Sequence, residues 1–368
     1  MKLPVGTLEA IQISRHRPVY RQIADSFREK IMSGELPAGH RLPSSQQIAA
    51  TVGADATTVH TALRQLMREG LITRQPRLGT FVRGRQDVLT QVGLYFGESF
   101  RHSSRYARAL FGALEDLLTR NQLSYRVFVD PRASEDQIGV FPELAKNIEQ
   151  KQIQGIVGVM MNRCSLQWLQ NLPIPGSYHT TGTEEGIVNY DWQGMVEMSL
   201  GRLRDQGCRS VALIAPFPAE RPDIFGGGKN RVQFVLKFAD VARDLGLEIH
   251  DERMRLPAGP IVGDSAAHRF GYEQFHALWK LPTHPDGLLV YPDSVVDGTI
   301  LAMAELGASK EVRVVFHRNK MVDLVCPFPA NWVQSDEADA AAALLEQLRK
   351  KLRGEPAPVF RASYQMLP

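Results

Sequence analysis

The sequence predicts an α/β protein in which a small N-terminal domain of three helices and a hairpin precedes a larger, two-lobed domain of parallel sheets flanked by helices. Three amphipathic helix patterns and one hairpin pattern occupy the first 83 residues. Beyond residue 90, short apolar strand patterns alternate with helix patterns, which is typical of parallel sheets covered by helices. The 368 residues, 43% of them hydrophobic, are enough for two or three packed units.

The two parts differ in charge. Residues 1–85 contain 13 lysines and arginines and 6 acidic residues, whereas the remainder holds 30 basic and 34 acidic residues. The net charge of +3 therefore combines a basic N-terminal unit with a mildly acidic body. An excess of cations on one unit predicts contact with a polyanion.

Signals for membrane insertion, secretion and metal binding are missing from the sequence. Neither end carries 18 consecutive apolar residues, and residues 1–13 lack the features of a secretory signal. The cysteines Cys164, Cys208 and Cys326 are widely spaced and form no metal-binding pattern. We therefore expect a cytoplasmic protein with no metal, no cofactor and no membrane contact.

The first two helices of the N-terminal domain are marked by local signals. The first has an apolar face with helical spacing, formed by Tyr20, Ile23, Phe27 and Ile31. Gly34 ends this helix, and a turn at 36–39 follows. Ser44 and Gln47 have the spacing of a capping box, which predicts the start of a second helix that ends near Gly53.

The third helix pattern indicates chemistry as well as packing. Asp55 is its expected N-cap, and Gly70 stops it. One side is an apolar stripe formed by Val59, Ala62, Leu63, Leu66 and Met67. The other side carries hydroxyls and cations, which suits a helix that lies in the major groove of DNA. Strand patterns at 71–74 and 80–83, joined by a turn, predict the hairpin called a wing.

These motifs resemble the GntR family of winged helix-turn-helix DNA-binding domains. The resemblance covers residues 18–83 and rests on the segments 18–23, 31–34, 37–44, 58–59, 62–63, 66, 69–72 and 79–82. The sequence departs from the family at three places. Ser45-Gln46 replaces the usual Glu-Arg, residues 54–56 replace Val-Ser-Arg, and His60 replaces an arginine. Because three cations that often contact DNA in the family are absent, we do not expect the family's usual operator.

The resemblance and the polar side of the third helix together predict a DNA-binding surface. Its residues are Arg41, Ser44, Gln46, Thr57, Thr58, His60, Thr61, Arg64, Arg74, Arg77, Gly79 and Thr80. Gln46 either reads an adenine through two hydrogen bonds or only bonds locally. His60 is expected to contact phosphate or to be structural, and Arg77 on the wing can hold phosphates or enter a minor groove.

The larger domain, 91–368, follows a short polar linker at 84–90. Predicted strands lie at 91–96, 125–129, 155–160, 186–189, 211–215, 287–291 and 312–316. Predicted helices lie around 106–117, 142–151, 168, 195–204, 229–245, 267–280, 295–306 and 336–353. In open α/β sheets ligands bind beyond the carboxyl ends of the strands, so residues just after the strands are the candidates for a site.

This stretch resembles the LacI/GalR effector-binding domain, which is similar to periplasmic sugar-binding proteins. The segments 92–94, 153–157, 189–194, 203–214 and 285–293 carry the resemblance, whereas 316–318 and 331–334 depart from the family. The combination with a GntR-type domain resembles the arabinose-repressor type of regulator. The resemblance implies a first lobe at about 91–186 and 317–333 and a second lobe at about 187–316 and 334–368.

The resemblance also implies a small-molecule site between the lobes, for a sugar or a derivative. The predicted effector-binding residues are Tyr95, Phe96, Trp168, His179, Asp191, Arg231, Asp293 and His317. Asp293 and Arg231 would bind hydroxyls or an anion, and the aromatic residues would contact the apolar face of a sugar. The alternative for the three aromatic residues of this set is a place in the core, and for Arg231 the surface of a helix.

Three functions are compatible with these patterns. The leading hypothesis is a ligand-controlled regulator, acting as a homodimer on a pseudo-palindromic operator, with repression as the family-level expectation. An enzyme fused to the DNA-binding domain would need a Schiff-base lysine or a glycine-rich phosphate loop, and neither is found, so we expect no catalytic residues. In the third, the larger domain serves dimerisation or protein contacts without an effector.

Overall fold

A computed structural model describes residues 17–37, 39–75, 77–83, 89–97, 105–133, 136–180, 184–217, 228–259, 261 and 263–367, and for residues 32 and 228–232 it describes the backbone alone. We call residues 17–83 the head and residues 89–367 the body. The predicted fold class is confirmed, because a winged helix-turn-helix precedes two α/β lobes. Residues 84–88 of the predicted linker lie outside the described ranges.

The head folds as three helices and a three-stranded antiparallel sheet. Its elements are α1 (Val19–Ser33), β1 (Arg41–Leu42), α2 (Ser45–Val52), α3 (Ala56–Arg68), β2 (Ile72–Gln75) and β3 (Gly79–Val82), with strand order β1-β3-β2. The boundaries follow local signals: Gly34 ends α1 with a φ of 83°, and Ser44 caps α2 in a capping box with Gln47. The two-residue strand β1 is an addition that no periodic pattern could predict.

Apolar packing orients α3 in the head. Ile23 and Phe27 of α1, Ile48 of α2 and Leu66 of α3 are buried in one core with the wing. An ion pair of 2.7 Å between Arg28 on α1 and Glu69 after α3 adds to this packing. Because the apolar stripe of α3 faces this core, its polar side faces outward.

The body contains two lobes, each with a six-stranded sheet. Its elements are β4 (Gln91–Phe96), α4 (Arg105–Arg120), β5 (Ser124–Val129), α5 (Pro142–Glu149), β6 (Gly155–Val159), α6 (Arg163–Gln170), β7 (Gly176–His179), β8 (Ile187–Tyr190), α7 (Trp192–Asp205), β9 (Val211–Ile214), α8 (Gly228–Asp244), β10 (Met254–Arg255), α9 (Asp264–Trp279), β11 (Gly287–Val290), α10 (Asp293–Leu306), β12 (Arg313–Asn319), β13 (Asn331–Ser335), α11 (Glu337–Leu352), β14 (Phe360–Ala362) and β15 (Gln365–Leu367). The first sheet has the order β14-β8-β7-β6-β4-β5 and the second β10-β9-β11-β12-β13-β15. Among the described strands of the body, β15 alone is paired in the antiparallel direction, with β13.

The sheets correct the predicted lobe boundaries near the C-terminal end. Strands β12 and β13 belong to the second sheet, so residues 317–333 lie in the second lobe rather than the first. Helix α11 packs on α4 and the first sheet, so most of 334–352 lies in the first lobe. Strand β8 also belongs to the first sheet. The prediction failed here because adjacency of β12 and β13 depends on long-range pairing that the local pattern does not contain.

The chain passes between the lobes three times, and we call this region the hinge. The crossings are residue 191, residue 336 and residues 363–364. Asp191 donates its backbone N–H to the carbonyl oxygen of Ala362 at 2.9 Å, and Tyr190 donates its hydroxyl to the carbonyl oxygen of Asp336 at 3.1 Å. These bonds hold the crossings side by side, next to the carboxyl ends of both sheets.

Within the described ranges, every helix is too short or too polar to cross a membrane.

Candidate functional site

A concavity of about 580 Å³ lies where β1, the start of α2, α3 and the wing meet. Six predicted DNA-binding residues line it, namely Arg41, Ser44, His60, Arg74, Gly79 and Thr80. Sequence reasoning missed Ser45 and Gln47, which also line it, although their place beside an N-cap was a usable signal. His60 Nε2 lies 3.2 Å from Ser45 Oγ, which joins α3 to α2. The lining contains two arginines and no carboxylate, so it suits phosphate groups.

Helix α3 presents two polar sides rather than one. His60 faces the concavity just described, whereas Thr61, Arg64 and Arg68 line a second cavity between the head and the body. Consecutive residues of a helix point about 100° apart, which accounts for the separation. The predicted DNA-binding set is therefore divided between two surfaces.

Two predicted hydroxyl contacts take part in helix capping and backbone bonding. Thr58 donates its hydroxyl to Asp55 Oδ2 at 2.5 Å and its backbone N–H to Oδ1 at 2.8 Å, so it completes the N-cap of α3. Thr61 donates its hydroxyl to the carbonyl oxygen of Thr57 at 3.0 Å. Their oxygens can still accept hydrogen bonds, but their protons are engaged within the head.

Glycine at position 79 permits a close approach on the wing. Gly79 has a φ of 125°, and a β-carbon there would lie 2.8 Å from Nε of Arg41. Only glycine therefore lets this guanidinium lie across the wing backbone. Arg77 at the wing tip and Gln46 on α2 are exposed, where a duplex could reach them.

A second candidate site lies at the hinge, where β11, β12 and β13 end. His317 is buried there, and its Nδ1 accepts the backbone N–H of Asp293 at 3.1 Å. Because Nδ1 is the acceptor, Nε2 carries the proton and faces Ser335 Oγ at 3.4 Å. Ser335 donates in turn to Asn319 Oδ1 at 2.6 Å. Burial lowers the pKa of His317 to about 3, so this chain of hydrogen bonds is uncharged at neutral pH.

Three polar atoms beside this chain have no hydrogen-bond partner within 3.5 Å among the described residues, although the amide of Asn319 lies close enough to the carboxyl of Asp293 to lower its pKa. They are Asp293 Oδ2, Asn319 Nδ2 and Glu337 Oε1, on side chains that are at most 2% exposed. Burial raises the pKa of Asp293 and of Glu337 above the ordinary values of these carboxyls. Since buried polar groups are nearly always hydrogen-bonded, this hinge cluster has unused capacity to donate and accept.

Aromatic side chains extend from the hinge cluster into the first lobe. Tyr106 Oη lies 2.7 Å from His179 Nε2, and the ring of Tyr190 lies 6.0 Å from that of His179 and 5.3 Å from that of Tyr364. Burial lowers the pKa of His179 to about 4, so this imidazole is also neutral. These four rings form a band with apolar faces and polar edges.

Ion pairs connect the two lobes at the start of α4. Arg105 Nη2 lies 2.5 Å from Asp297 Oδ2, and Arg108 Nη2 lies 2.6 Å from Asp264 Oδ2. The arginines belong to the first lobe and the aspartates to the second. Because these pairs are partly exposed, each contributes only about 0–1 kcal/mol and would break at little cost if the lobes separated.

Three predicted effector residues belong to the core of the first lobe, which corrects the prediction. Tyr95 and Phe96 are buried on β4, and Tyr95 donates its hydroxyl to Asp130 Oδ2 at 2.8 Å. Trp168 packs edge-on against Tyr95 and donates from Nε1 to the carbonyl oxygen of Gln137 at 3.1 Å. Strand β4 is interior to its sheet and covered on both faces, so its side chains pack instead of lining the cleft.

Two other predicted effector residues, Asp191 and Arg231, lie outside the core of the first lobe. Asp191 lies at the hinge and caps α7, since its Oδ1 accepts the backbone N–H of Gly194 at 3.2 Å. Arg231 lies in the first turn of α8, where the described structure is limited to the backbone, so its role stays a prediction.

The head and the body exchange hydrogen bonds at two helix ends. Arg353, after α11, donates from Nη1 to the carbonyl oxygen of Arg68, the last residue of α3, at 2.9 Å. Arg83, after β3, donates from Nη2 to the carbonyl oxygen of Leu352, the last residue of α11, at 3.2 Å. Carbonyl groups at helix C-termini lack intrahelical partners and attract cations. Helix α11 thus extends from the hinge cluster, at Glu337, to the head.

Comparison with known protein sequences identifies the head. Residues 19–82 match the family of bacterial regulatory proteins named gntR. The mannosyl-D-glycerate transport/metabolism system repressor MngR of Escherichia coli is 41% identical over 68 residues, which cover 18% of this chain and 28% of that protein. The histidine utilization repressor of Pseudomonas putida is 33% identical over 79 residues, covering 22% and 32%. The chain spans about a third or less of the length of these curated relatives, and the similarity concerns the head.

Comparison with solved structures identifies the fold of the body. The lac repressor dimer bound to operator and the anti-inducer ONPF matches with a TM-score of 0.60 at 12% identity, over 76% of this chain and 92% of that chain. A regulatory protein of the LacI family from Chloroflexus aggregans matches with a TM-score of 0.59 at 16% identity, over 76% and 96%. The complex of the regulator CelR with cellobiose matches with a TM-score of 0.59 at 14% identity, over 89% and 99%. The predicted combination of a GntR-type head with a LacI-type fold is confirmed.

Proposed function

We propose that this chain is a ligand-controlled transcription regulator that binds operator DNA through the head and a small molecule between the lobes. The observation that carries the proposal is the head concavity, where Arg41, Arg74 and Thr80 converge beside α3 with no carboxylate among the lining residues. Exposed cations and hydroxyls on a winged helix suit the phosphates of a duplex. The gntR match supports the same reading.

Within this proposal the predicted residues have separate tasks. Arg41, Arg74 and Arg77 hold phosphates, and Gln46 reads a base from the exposed side of α2. The protein acts as a homodimer on a pseudo-palindromic operator, because symmetric heads need symmetric half-sites. It acts as a repressor, which the names of the two sequence relatives support, and its proposed location is the bacterial cytoplasm. No residue is assigned a catalytic task.

The proposed effector is an uncharged, hydroxyl-rich molecule such as a sugar. The neutral imidazole of His317, the buried carboxyls of Asp293 and Glu337 and the free amide N–H of Asn319 can exchange hydrogen bonds with hydroxyl groups. The adjacent aromatic band offers apolar faces for a sugar ring. A structure with the same fold that is described as a cellobiose complex supports this class of ligand.

The DNA-binding part is tested by gel-shift titration on the DNA upstream of the protein's own gene at fixed salt. Arg77→Ala should weaken binding to every duplex alike, whereas Gln46→Ala should relax the choice among sequences by about 1–3 kcal/mol. Arg209→Ala, an exposed arginine of the second lobe, is the control and should change neither. The proposal fails if no duplex shows salt-sensitive binding.

The effector part is tested by thermal unfolding of the full chain against a panel of sugars. A sugar that binds should raise the unfolding midpoint with concentration, and Asp293→Asn should reduce this shift. That sugar should also change operator affinity in the gel-shift assay. If no sugar shifts the midpoint while DNA binding persists, the body serves dimerisation or protein contacts instead.

A further inference from the structure

A cavity of about 540 Å³ lies between the head and the first lobe, outside both sites described above. Helices α1 and α3 form one wall, and the end of α4 forms the other. Six arginines line it, namely Arg17, Arg21, Arg28, Arg64, Arg68 and Arg120. We call it the arginine cavity.

The carboxylates of this cavity compensate only part of the charge. Its two acidic residues are Asp25 and Glu69. Asp25 bonds to Arg17 at 2.8 Å and also to Arg28, and Glu69 bonds to Arg28 at 2.7 Å. The two carboxylates are therefore paired with Arg17 and Arg28.

The other four arginines form no ion pair with any described carboxylate. Arg21 donates to the hydroxyl of Tyr20 at 3.1 Å, and Arg120 donates to the backbone oxygen of Asp116 at 3.2 Å, so their partners are neutral. Arg64 and Arg68 extend from α3 with exposed side chains. Like charges around one cavity repel each other, and an anion with several charges would relieve that repulsion.

The shape of the cavity favours a small anion over a duplex. Its volume falls in the range of about 300–1,000 Å³ that is usual for small-molecule sites. Its walls come from two domains, whereas a duplex is read by elements that project into its grooves. Guanidinium groups match phosphate oxygens in pairs, which makes arginine the usual residue for phosphate recognition.

We propose that the arginine cavity binds an oligophosphate, an anion with two or more linked phosphate groups, and thereby fastens the head to the first lobe. Arg64 and Arg68 would hold the anion from α3, and Arg120 would hold it from the body. Because α3 also borders the DNA-binding concavity, anion binding and operator binding would influence each other reciprocally. This site is separate from the proposed effector site at the hinge.

The test is isothermal titration of the full chain, without DNA, with sodium tripolyphosphate at constant ionic strength. We expect one saturable site per chain and an unfolding midpoint that rises with tripolyphosphate concentration. Arg120→Gln and Arg64→Gln should each weaken binding by about tenfold or more, as expected when a charge-assisted hydrogen bond is lost. Arg209→Gln on the second lobe is the matched control and should bind like the parent chain.

Folding of the variants is checked without the anion. Both replaced arginines are exposed, so the unfolding midpoint should stay unchanged or rise slightly as repulsion falls. The proposal is overturned if titration gives no saturable heat, if sodium sulfate at equal ionic strength has the same effect, or if Arg120→Gln binds normally.

A second measurement separates a free oligophosphate from the DNA backbone as the source of phosphate. Operator affinity of Arg120→Gln is measured at several salt concentrations without tripolyphosphate. We expect its salt dependence to equal that of the parent chain. A slope reduced by about one would mean that the cavity holds DNA phosphate and would overturn the small-anion proposal.

Discussion

The head and the hinge of the body handle polar groups in opposite ways. In the head, Arg41 and Arg74 are exposed and charged around an open concavity. At the hinge, Asp293 and His317 are almost fully buried, and burial shifts both pKa values toward the neutral form. The head thus keeps charge in solvent, whereas the hinge buries its polar groups and disfavours their charged forms.

This contrast implies that DNA and the proposed sugar are recognised by different interactions. Exposed charges act over several ångströms and are screened by salt, which suits a long polyanion. Buried neutral groups act only on contact, and they favour a ligand that replaces each missing hydrogen bond. One chain can therefore bind DNA at the head and an uncharged small molecule at the hinge, because neither surface favours the ligand of the other.

The largest expected difference between the two regions is in salt dependence. Between roughly 50 and 200 mM salt we expect operator affinity to fall by about a hundredfold or more, since phosphate contacts release counterions. The affinity of a sugar found by the thermal panel should change by less than about twofold, because the sugar carries no charge and its proposed site is buried. Fluorescence anisotropy and calorimetry at the same salt concentrations measure the two effects. If operator affinity and sugar affinity fell equally steeply with salt, the proposed difference between the charged head and the buried hinge would be contradicted.

The second prediction concerns acidification. His317 has a folded-state pKa of about 3 and an ordinary value of 6.5, so the unfolded chain takes up its proton first. The free energy of unfolding should therefore fall as the pH decreases from about 6.5 toward 3, by up to about 1.4 kcal/mol per pH unit from this group. Asp293 and Glu337 act oppositely, because their raised pKa values favour the folded state at low pH.

The variant His317→Gln separates these contributions. Glutamine retains an acceptor and a donor but does not titrate, so the loss of stability between pH 6.5 and 4.5 should shrink by about 2 kcal/mol. Urea denaturation at a series of pH values measures it, with His60→Gln on the head as control. An unchanged pH profile in His317→Gln would contradict the assignment of a buried neutral imidazole.

The third prediction tests the fine geometry of the head. In Gly79→Ala the new methyl group would meet Arg41 Nε at 2.8 Å and force this side chain to move. We expect operator affinity to fall by about tenfold, because a charge-assisted hydrogen bond from Arg41 to phosphate would be lost, while sugar binding stays unchanged. Gly53→Ala is the matched control, because Gly53 also has a positive φ, 66°, but no atom within 4 Å of the added carbon. If Gly53→Ala lowers operator affinity as much as Gly79→Ala does, the contact with Arg41 is not the cause of the loss. If neither variant loses affinity, Gly79 is not needed for DNA binding.

The smallest expected effect concerns the contact between the two regions. Arg353→Gln would remove the hydrogen bond to the end of α3 and also the ion pairs of Arg353 with Glu346 and Glu355. Because the side chains of both glutamates are about half exposed, the free energy of unfolding should fall by only about 1 kcal/mol. It should nevertheless reduce the effect of the sugar on operator affinity, because α11 begins at the hinge cluster. Gel-shift titration with and without sugar measures this, with Lys350→Gln as control. An unaltered sugar effect would show that α11 does not transmit it.

Much of the head is predictable because its signals are local. Ser44 with Gln47, Asp55 with Thr58, and Gly34 each act within a few residues, and all of them mark helix ends in the structure. The body was harder to predict. Tyr95 lies near the end of a predicted strand and Trp168 on a short helix, as ligand-binding residues often do, but their burial depends on which elements pack next to them.

The chain's own pattern of residues was sufficient for the helix ends, the apolar stripe of α3, the alternation of strands and helices and the charge of the head, since each follows from spacing and composition. Packing at long range was needed to bring Asp293, Asn319 and Glu337 together, to place β12 and β13 in one sheet and to join α11 to the head. Contacts between distant residues depend on how sheets pair and lobes cross, and spacing along the chain carries no record of that pairing.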